Sequence, residues 1–360
     1  MPSSSNQRLA SLAGQLAPAQ PSFAAAGSSP LPTRPLFRGG PLVSAVGLGA
    51  WPLAGAHGEV DPRAGVSAVQ AAVRDYGMTF IDTAQAYQNE ANGGSEDVIG
   101  VALAEAPELK AKAFVTTKVS YAPFDAGTIR KHCKTSLANL QFDSIELLQL
   151  HHWNAGRVNA RTGEVQPSIG EQMAGLKAVQ DEGLVKYIGL NNANAAQLQE
   201  AWDTGVRFHT VQVRYHMFAR YIEKEVIPWC REHGVGILAH SVLGKGLCTG
   251  KHASTHIFPD DDERSKGGYA QDFSGERWIK YCAATDKLKV IAARRGYSCA
   301  ELAVGWVLRK PEISVALVGA KDAEQVALNS RFMQDFTAAE LAEIDGILAE
   351  APDVGFQGEE

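Results

Sequence analysis

The sequence predicts an α/β protein, a (β/α)8 TIM barrel in a single domain behind a disordered N-terminal extension. Three observations carry this. Eight short apolar or β-branched runs alternate with segments of helical periodicity over about 290 residues. Gly77, Gly183, Gly205 and Gly234 sit where the intervening helices should stop. No dinucleotide fingerprint follows the first run: Gly47-Leu48-Gly49 leads into Ala50, Trp51 and Pro52, which do not open a helix. That disfavours a doubly wound sheet.

Residues 1–30 are rich in Ser, Ala, Pro and Gln, and the first acidic residue of the chain is Glu59. Such a stretch cannot bury enough apolar surface to order itself. Residues 1–33 therefore read as a disordered tail, or as a plastid or mitochondrial transit peptide, since those are Ser-rich and acid-poor. The barrel is assigned to 34–360. The strands are expected at Val43–Leu48, Thr79–Ile81, Phe114–Val119, Ile145–Leu150, Lys186–Gly189, Thr210–Val213, Gly236–Ala239 and Ser314–Val318. Pro62–Tyr76 is a helix because Val66, Val69, Ala72 and Val73 share one stripe. Ser95–Ala104 gathers Val98, Ile99, Ala102 and Leu103, with Ser95 as N-cap. Asp125–Leu140, Gly170–Asp181, Ala195–Trp202, Ile222–His233, Cys299–Arg309 and Ala323–Ser330 complete the series.

Composition narrows the function. The chain has 360 residues, 45% of them hydrophobic, and 34 Lys plus Arg against 40 Asp plus Glu, a net charge of −6. There is no basic surplus to bind nucleic acid or anionic lipid. No apolar run approaches the length of a membrane span. The five cysteines are scattered without a CxxC, which argues against a disulfide framework or a zinc site. A cytoplasmic compartment is expected, or the plastid stroma if the tail is a transit peptide.

Catalytic groups of such barrels come from the C-terminal ends of strands. The second strand ends in Asp82, with Tyr87 five residues on; the third ends in Lys118 and the fourth in His151. Each has an ordinary structural use alone, but four such groups on one rim point to a site. His152, following His151, should face the other way on a strand, so a two-histidine metal site is not expected. The loops after strands one and four carry Trp51 and Trp153, candidates for a substrate pocket. Phe258–Gly275 reads as a solvated acidic loop, with a lid as the alternative.

Phe80-Ile-Asp82-Thr-Ala-x-x-Tyr87, Gly94-Ser-Glu96, Thr117-Lys118, Leu150-His151 and Gly319-Ala-Lys321 together resemble the aldo-keto reductases, over about residues 34–332. The resemblance implies a barrel enzyme that binds NADP without a Rossmann fold and interconverts carbonyls and alcohols. It implies that Asp82, Tyr87, Lys118 and His151 are the catalytic tetrad. Tyr87 would be the acid, Lys118 would lower its pKa, Asp82 would hold Lys118, and His151 would orient the carbonyl. Asn191, Asn192 and Gln212 correspond to nicotinamide ligands. His240 stands where the family carries a stacking ring. Ser241, Leu243 and Lys245 fall in the pyrophosphate loop. Gly319, Lys321, Gln325 and Asn329 fall around the adenosine phosphate, with Lys321 opening a helix and favouring NADPH over NADH. The substrate is expected to be a small carbonyl compound. The alternatives are a cofactor-binding regulatory subunit resembling potassium-channel β subunits, and a non-redox isomerase on the same barrel.

Overall fold

A computed structural model describes residues 31–55, 60–89, 93–121, 123–158, 163–260, 262–266 and 270–355. The expected tail, residues 1–30, lies outside the described residues. Eight parallel strands close into a barrel: β1 Val46–Gly49, β2 Phe80–Asp82, β3 Phe114–Val119, β4 Ile145–Leu150, β5 Val185–Asn191, β6 Thr210–Arg214, β7 Gly236–His240 and β8 Ile313–Gly319. They neighbour one another in sequence order, and β8 pairs with β1 to close the ring. Helices cover the outside: α1 Pro62–Tyr76, α2 Ser95–Ala104, α3 Ala126–Leu140, α4 Ile169–Asp181, α5 Ala195–Asp203, α6 Val226–His233, α7 Gly275–Arg294, α8 Cys299–Leu308, α9 Ala323–Asn329 and α10 Ala338–Ala349. α1, α5 and α6 stop near Gly77, Gly205 and Gly234, and α4 near Gly183; all four glycines are left-handed, with φ between 63° and 86°.

Strand parity sorts the interior into layers. Side chains alternate in and out along each strand. Phe80, Phe114, Leu147, Leu238 and Val315 point inward near the strand starts and form a closed apolar cluster with Leu36 and Val43. Two residues on, Thr116 and Gln149 are joined by a side-chain hydrogen bond of 3.0 Å. The next inward positions are Lys118, at the end of β3, and His151, just beyond β4. The lower barrel is thus filled by apolar side chains, and the inward-facing Asp82, Lys118 and His151 lie at the top.

The expected strand Val43–Leu48 is two elements. Leu42–Ser44 pairs antiparallel with Thr33–Pro35, a hairpin under the barrel, and β1 begins at Val46. Ala45 turns the chain between them: its N–H donates to Pro32 and its carbonyl accepts from Ala316. The helix expected at Ile222–His233 begins at Val226, because Pro228 has no N–H and belongs in a first turn. Helices α7 and α10 are additions. α7 carries Trp278, Tyr281, Cys282, Thr285, Leu288 and Ile291 on its buried side, a helical spacing interrupted by many charges. α10 is announced by a capping box, Thr337 with Glu340. All five cysteines are buried and unbridged.

The hairpin lies so close to β7 that a Cβ on Gly236 would meet the Leu36 carbonyl oxygen at 1.6 Å. That carbonyl also accepts from Ser314 Oγ at 2.9 Å. Gly236→Ala should force the hairpin off the barrel floor and destabilise the fold by about 1–3 kcal/mol. An unchanged urea midpoint would show that the floor has room to move.

Candidate active site

Lys118 is fully buried, and its three donors are all used. Nζ donates to Asp82 Oδ2 at 2.6 Å, to the Thr83 carbonyl at 2.9 Å and to Tyr87 Oη at 3.3 Å. Asp82, 3% exposed, receives a second bond from Gln212 Nε2 at 2.7 Å. Strand pairing brings these groups together: Asp82 ends β2, Lys118 is the inward residue near the end of the adjacent β3, and Gln212 is inward on β6 across the barrel. Burial alone would lower the lysine pKa, but Asp82 and Tyr87 outweigh it and the net direction is upward. Lys118 is therefore a fixed cation. Removing Asp82 would leave that charge unpaired in the core, at a cost of about 3–5 kcal/mol.

Burial also dominates at Tyr87. It raises the phenol above its ordinary 10, while Lys118 pulls it down and Asp82 pushes it up. The expected lowering by Lys118 is thus real in sign but smaller than the effect of burial. The outcome is a phenol that holds its proton through neutral pH, beside an ammonium that would stabilise its anion.

His151 stands edge-on to the Tyr87 ring, with centroids 5.6 Å apart. Its Nδ1 lies 2.7 Å from Ser120 Oγ. Burial, then Lys118, His152 and His240, hold its pKa well below 6.5, so the ring is neutral. The Ser120 hydroxyl also lies 3.3 Å from the Lys118 carbonyl. In the tautomer whose Nδ1 accepts from Ser120, Nε2–H is the donor left for the cavity. His152 does not face outward as expected. β4 ends at Leu150, parity lapses, and the two imidazoles stack at 4.4 Å, 9° from parallel, both lining the cavity.

These groups open into a cavity of about 730 Å³. Asn191, Asn192, Gln212, His240, Ser241, Leu243, Lys245, Gly319, Lys321 and Gln325 all contribute to its wall, as does Trp51. Trp153, expected there, does not: it is 8% exposed and packed in the hydrophobic core, the commoner fate of a tryptophan at a barrel mouth. Asn329 also stays out of the wall and donates to the Gly319 carbonyl at 3.0 Å. Lys321 does not open a helix. α9 begins at Ala323 behind the cap Asp322, whose carboxylate accepts from the Gln325 N–H at 2.8 Å. Gln325 folds back and accepts from the Lys321 N–H.

Several features fit a nicotinamide dinucleotide. Asn191 Oδ1 is buried with no partner among the described residues, an acceptor waiting for a donor such as a carboxamide. Asn192, Ser241 and Lys245 hold left-handed φ of 52° to 54°, unusual for residues with side chains, and Gly244 and Gly246 continue the turn. His240 is neutral, held well below 6.5 by burial and then by Arg214, Lys118 and Lys245. Its Nε2 donates to Asn192 Oδ1 at 2.9 Å and its Nδ1 accepts from Ser241 at 3.0 Å, so the ring orientation is fixed. At the far end, Lys251 and Arg264 join Lys321 in the wall. Arg264 comes from the long loop beyond β7; it lies over the Phe258 ring and is held by Asp262. Sequence reasoning missed Ser120, Lys251, Arg264 and Arg214, because nothing in their local sequence says that they converge.

A family model described as the aldo/keto reductase family matches residues 45–349. The chain belongs to that family. A probable voltage-gated potassium channel β subunit of Arabidopsis thaliana is 30% identical over 309 residues, covering 82% of this chain and 89% of that one. The structure of a glycerol dehydrogenase from Gluconobacter oxydans is 32% identical, with a TM-score of 0.73, and covers 86% of this chain and 92% of its own. An aldo/keto reductase from Klebsiella pneumoniae, solved with NADP and acetate, is 25% identical, with a TM-score of 0.64, over 89% and 96% of the two chains. Membership explains the agreement between the rim residues and the barrel that carries them.

Ser120 gives a direct check on the histidine geometry. Ser120→Ala orphans His151 Nδ1 and releases the tautomer, a loss of about 1–3 kcal/mol for a buried acceptor. Carbonyl reduction should fall about tenfold in kcat/KM, with Ser120→Thr retaining most of it. Equal rates for Ala and wild type would show that the tautomer is fixed by other means.

Proposed function

We propose that the protein reduces an aldehyde or ketone to an alcohol with NADPH, Tyr87 supplying the proton. The observation that carries the reading is the hydrogen-bonded chain Asp82–Lys118–Tyr87, which brings a protonated phenol and a buried cation to the cavity beside His151. NADPH, when bound, supplies the hydride. The substrate carbonyl lies between Tyr87 and His151. The Nε2–H of His151 hydrogen-bonds the carbonyl oxygen and turns it toward the phenol. As negative charge gathers on that oxygen, Tyr87 passes it the phenolic proton. The ammonium of Lys118 stabilises the tyrosinate left behind, and Asp82 with Gln212 keeps that ammonium in place. Solvent then returns the proton.

Asn191, Asn192 and Gln212 are the residues for the carboxamide, and Ser241, Leu243 and Lys245 those for the pyrophosphate. Lys321, Lys251 and Arg264 are assigned to the 2′-phosphate. Asp322 already caps the short helix beyond them, so full charges rather than a helix end favour that phosphate. The residues 34–360 act as one catalytic domain in this reading.

The regulatory-subunit reading draws on the Arabidopsis relative. NADPH oxidation at 340 nm over a carbonyl panel separates the two, since a binding module consumes no cofactor. Turnover without cofactor would favour an isomerase.

Tyr87→Phe should lower reduction by about 10²–10⁴-fold with NADPH binding retained. Because the phenol pKa is raised above 10, reduction should stay level from pH 6 to 9 with respect to this group and fall only as pH rises through that pKa. The reverse oxidation needs the phenolate and should climb with pH across the same range. Lys118→Met removes the one influence that lowers the phenol pKa, so the oxidation limb should move to higher pH. An unmoved limb would disconnect Lys118 from the acid.

Lys321→Ala tests the cofactor end. The ratio of kcat/KM for NADPH over NADH should drop about tenfold, the worth of one charged hydrogen bond. A ratio near one in the wild type would remove the assignment.

A further inference from the structure

Three imidazoles that act on one another, those of His151, His152 and His240, line the cavity. Two of them are tied to the protein. His151 Nδ1 lies 2.7 Å from Ser120 Oγ, and His240 is held between Asn192 and Ser241. His152 is not tied. Its Nδ1 is enclosed with no partner, and no hydrogen bond joins its ring to another of the described residues. Burial, and then Lys118, lower its pKa, so it is neutral. It has no part in any step above. A polar ring that the protein itself does not use, beside the group that receives the carbonyl, calls for a partner from the cavity.

The chain around it fixes where the ring stands. The His151 N–H still donates to the Val119 carbonyl at 3.0 Å, as a residue continuing β4 would. Trp153 is packed in the core. His152 lies between these two anchored neighbours and outside the strand ladder, so its ring is not sent to the helix side. It lies instead on the His151 ring, with centroids 4.4 Å apart and planes 9° from parallel. Since Nδ1 is enclosed, Nε2 is the polar atom that the ring has for a ligand.

We propose that His152 binds a hydroxyl of the substrate, on the first or second carbon from the carbonyl, while His151 holds the carbonyl oxygen. The substrate class is then a short hydroxy ketone or hydroxy aldehyde rather than a plain alkyl carbonyl. This rests on the reductase reading for the carbonyl but not for the hydroxyl. Two parallel rings one stacking distance apart suit two oxygens borne on neighbouring or next-neighbouring carbons, one for each ring. A hydroxyl both donates and accepts, so it answers Nε2 in either tautomer of His152. An alkyl group does neither and would leave the nitrogen desolvated and unpaired, which is how a polar site rejects an analogue that lacks the hydroxyl. A neutral ring also offers no charge to a carboxylate or phosphate. If His152 served only to pack against His151, a phenyl ring would do as well.

That difference is the test. Hydroxyacetone against butan-2-one, and 4-hydroxybutan-2-one against pentan-2-one, each exchange a hydroxyl for a methyl group. With purified protein and NADPH, at least one hydroxylated member should exceed its partner about tenfold or more in kcat/KM, and the pair that responds tells the first carbon from the second. His152→Phe keeps a ring to stack and removes both nitrogens. It should lower the hydroxylated member about tenfold more than its partner, mostly through KM. His152→Gln, which restores a donor and an acceptor without the ring, should recover part of the preference. Binding of hydroxyacetone and butan-2-one to the protein loaded with NADP in its oxidised form, followed by intrinsic fluorescence, needs no reduction. Tighter binding of hydroxyacetone by wild type, lost in His152→Phe, would uphold the hydroxyl site even if no ketone were reduced, and the reductase reading alone would then fail. Methyl partners used and bound as well as hydroxylated ones, or equal losses on both members in His152→Phe, would overturn the proposal. Thermal unfolding of each variant confirms that it is folded, and His152→Leu replaces the Phe variant if that one is not.

Discussion

The top of this barrel depends on one buried ion pair. Lys118 and Asp82 sit 2.6 Å apart with almost no exposure to water. Two such charges desolvated together gain little net stability over an apolar pair. What they provide is position. The lysine's remaining donors reach the Thr83 carbonyl and Tyr87, so one ammonium ties the end of β2, the end of β3 and the loop that carries the phenol. Gln212 extends the tie across the barrel to β6. Tyr87 keeps a proton because it is buried, and can release it because a cation waits beside it. The first property comes from burial, the second from the pair.

Further support lies behind the strands. Glu96, also buried, accepts from Thr117 at 2.6 Å and from Asn139 at 3.0 Å. Thr117 points outward on β3, opposite in parity to Lys118, so the carboxylate links α2 and α3 to the strand at the very position that delivers the lysine. Burial raises its pKa and three side-chain donors oppose that, as suits a carboxylate enclosed by hydrogen bonds. The motif Gly94-Ser-Glu96 thus belongs to the wall that steadies the site, with Ser95 in contact with Thr83 at 2.6 Å.

The sequence made the barrel and its rim legible because both follow from period-two and period-3.6 patterns, which are local. Asp82, Lys118 and His151 could be read as strand-end residues, and their meeting followed from closing the ring. What could not be read depends on where strands stop. One residue of parity decides whether His152 faces helices or substrate, and β4 ends a residue too early for the alternation to hold. Trp153 went the other way, into the core. Arg264 and Ser120 were invisible for a related reason: one comes from a loop whose path no periodicity sets, and the other matters only because His151 arrives at 2.7 Å from a different strand. Lys321 was found, but its supposed helix start was displaced by two residues, and the cap Asp322 occupies the N–H that was to greet the phosphate.

The electrostatics of the cavity then have a single logic. Burial first, and the nearby cations next, hold His151 and His240 well below 6.5. A charged imidazole at either place would be a competing proton donor and would repel the lysine. Kept neutral, each ring has one donor and one acceptor; Asn192 and Ser241 set the roles in His240, and Ser120 holds Nδ1 of His151. In the proposed reduction Tyr87 is then the acid, with a proton at neutral pH and an adjacent ammonium to stabilise its loss. Lys118 is common to both rings: it follows burial in holding His151 down and acts on His240 as well. The ammonium that lies beside the phenol therefore also helps to keep the two imidazoles neutral.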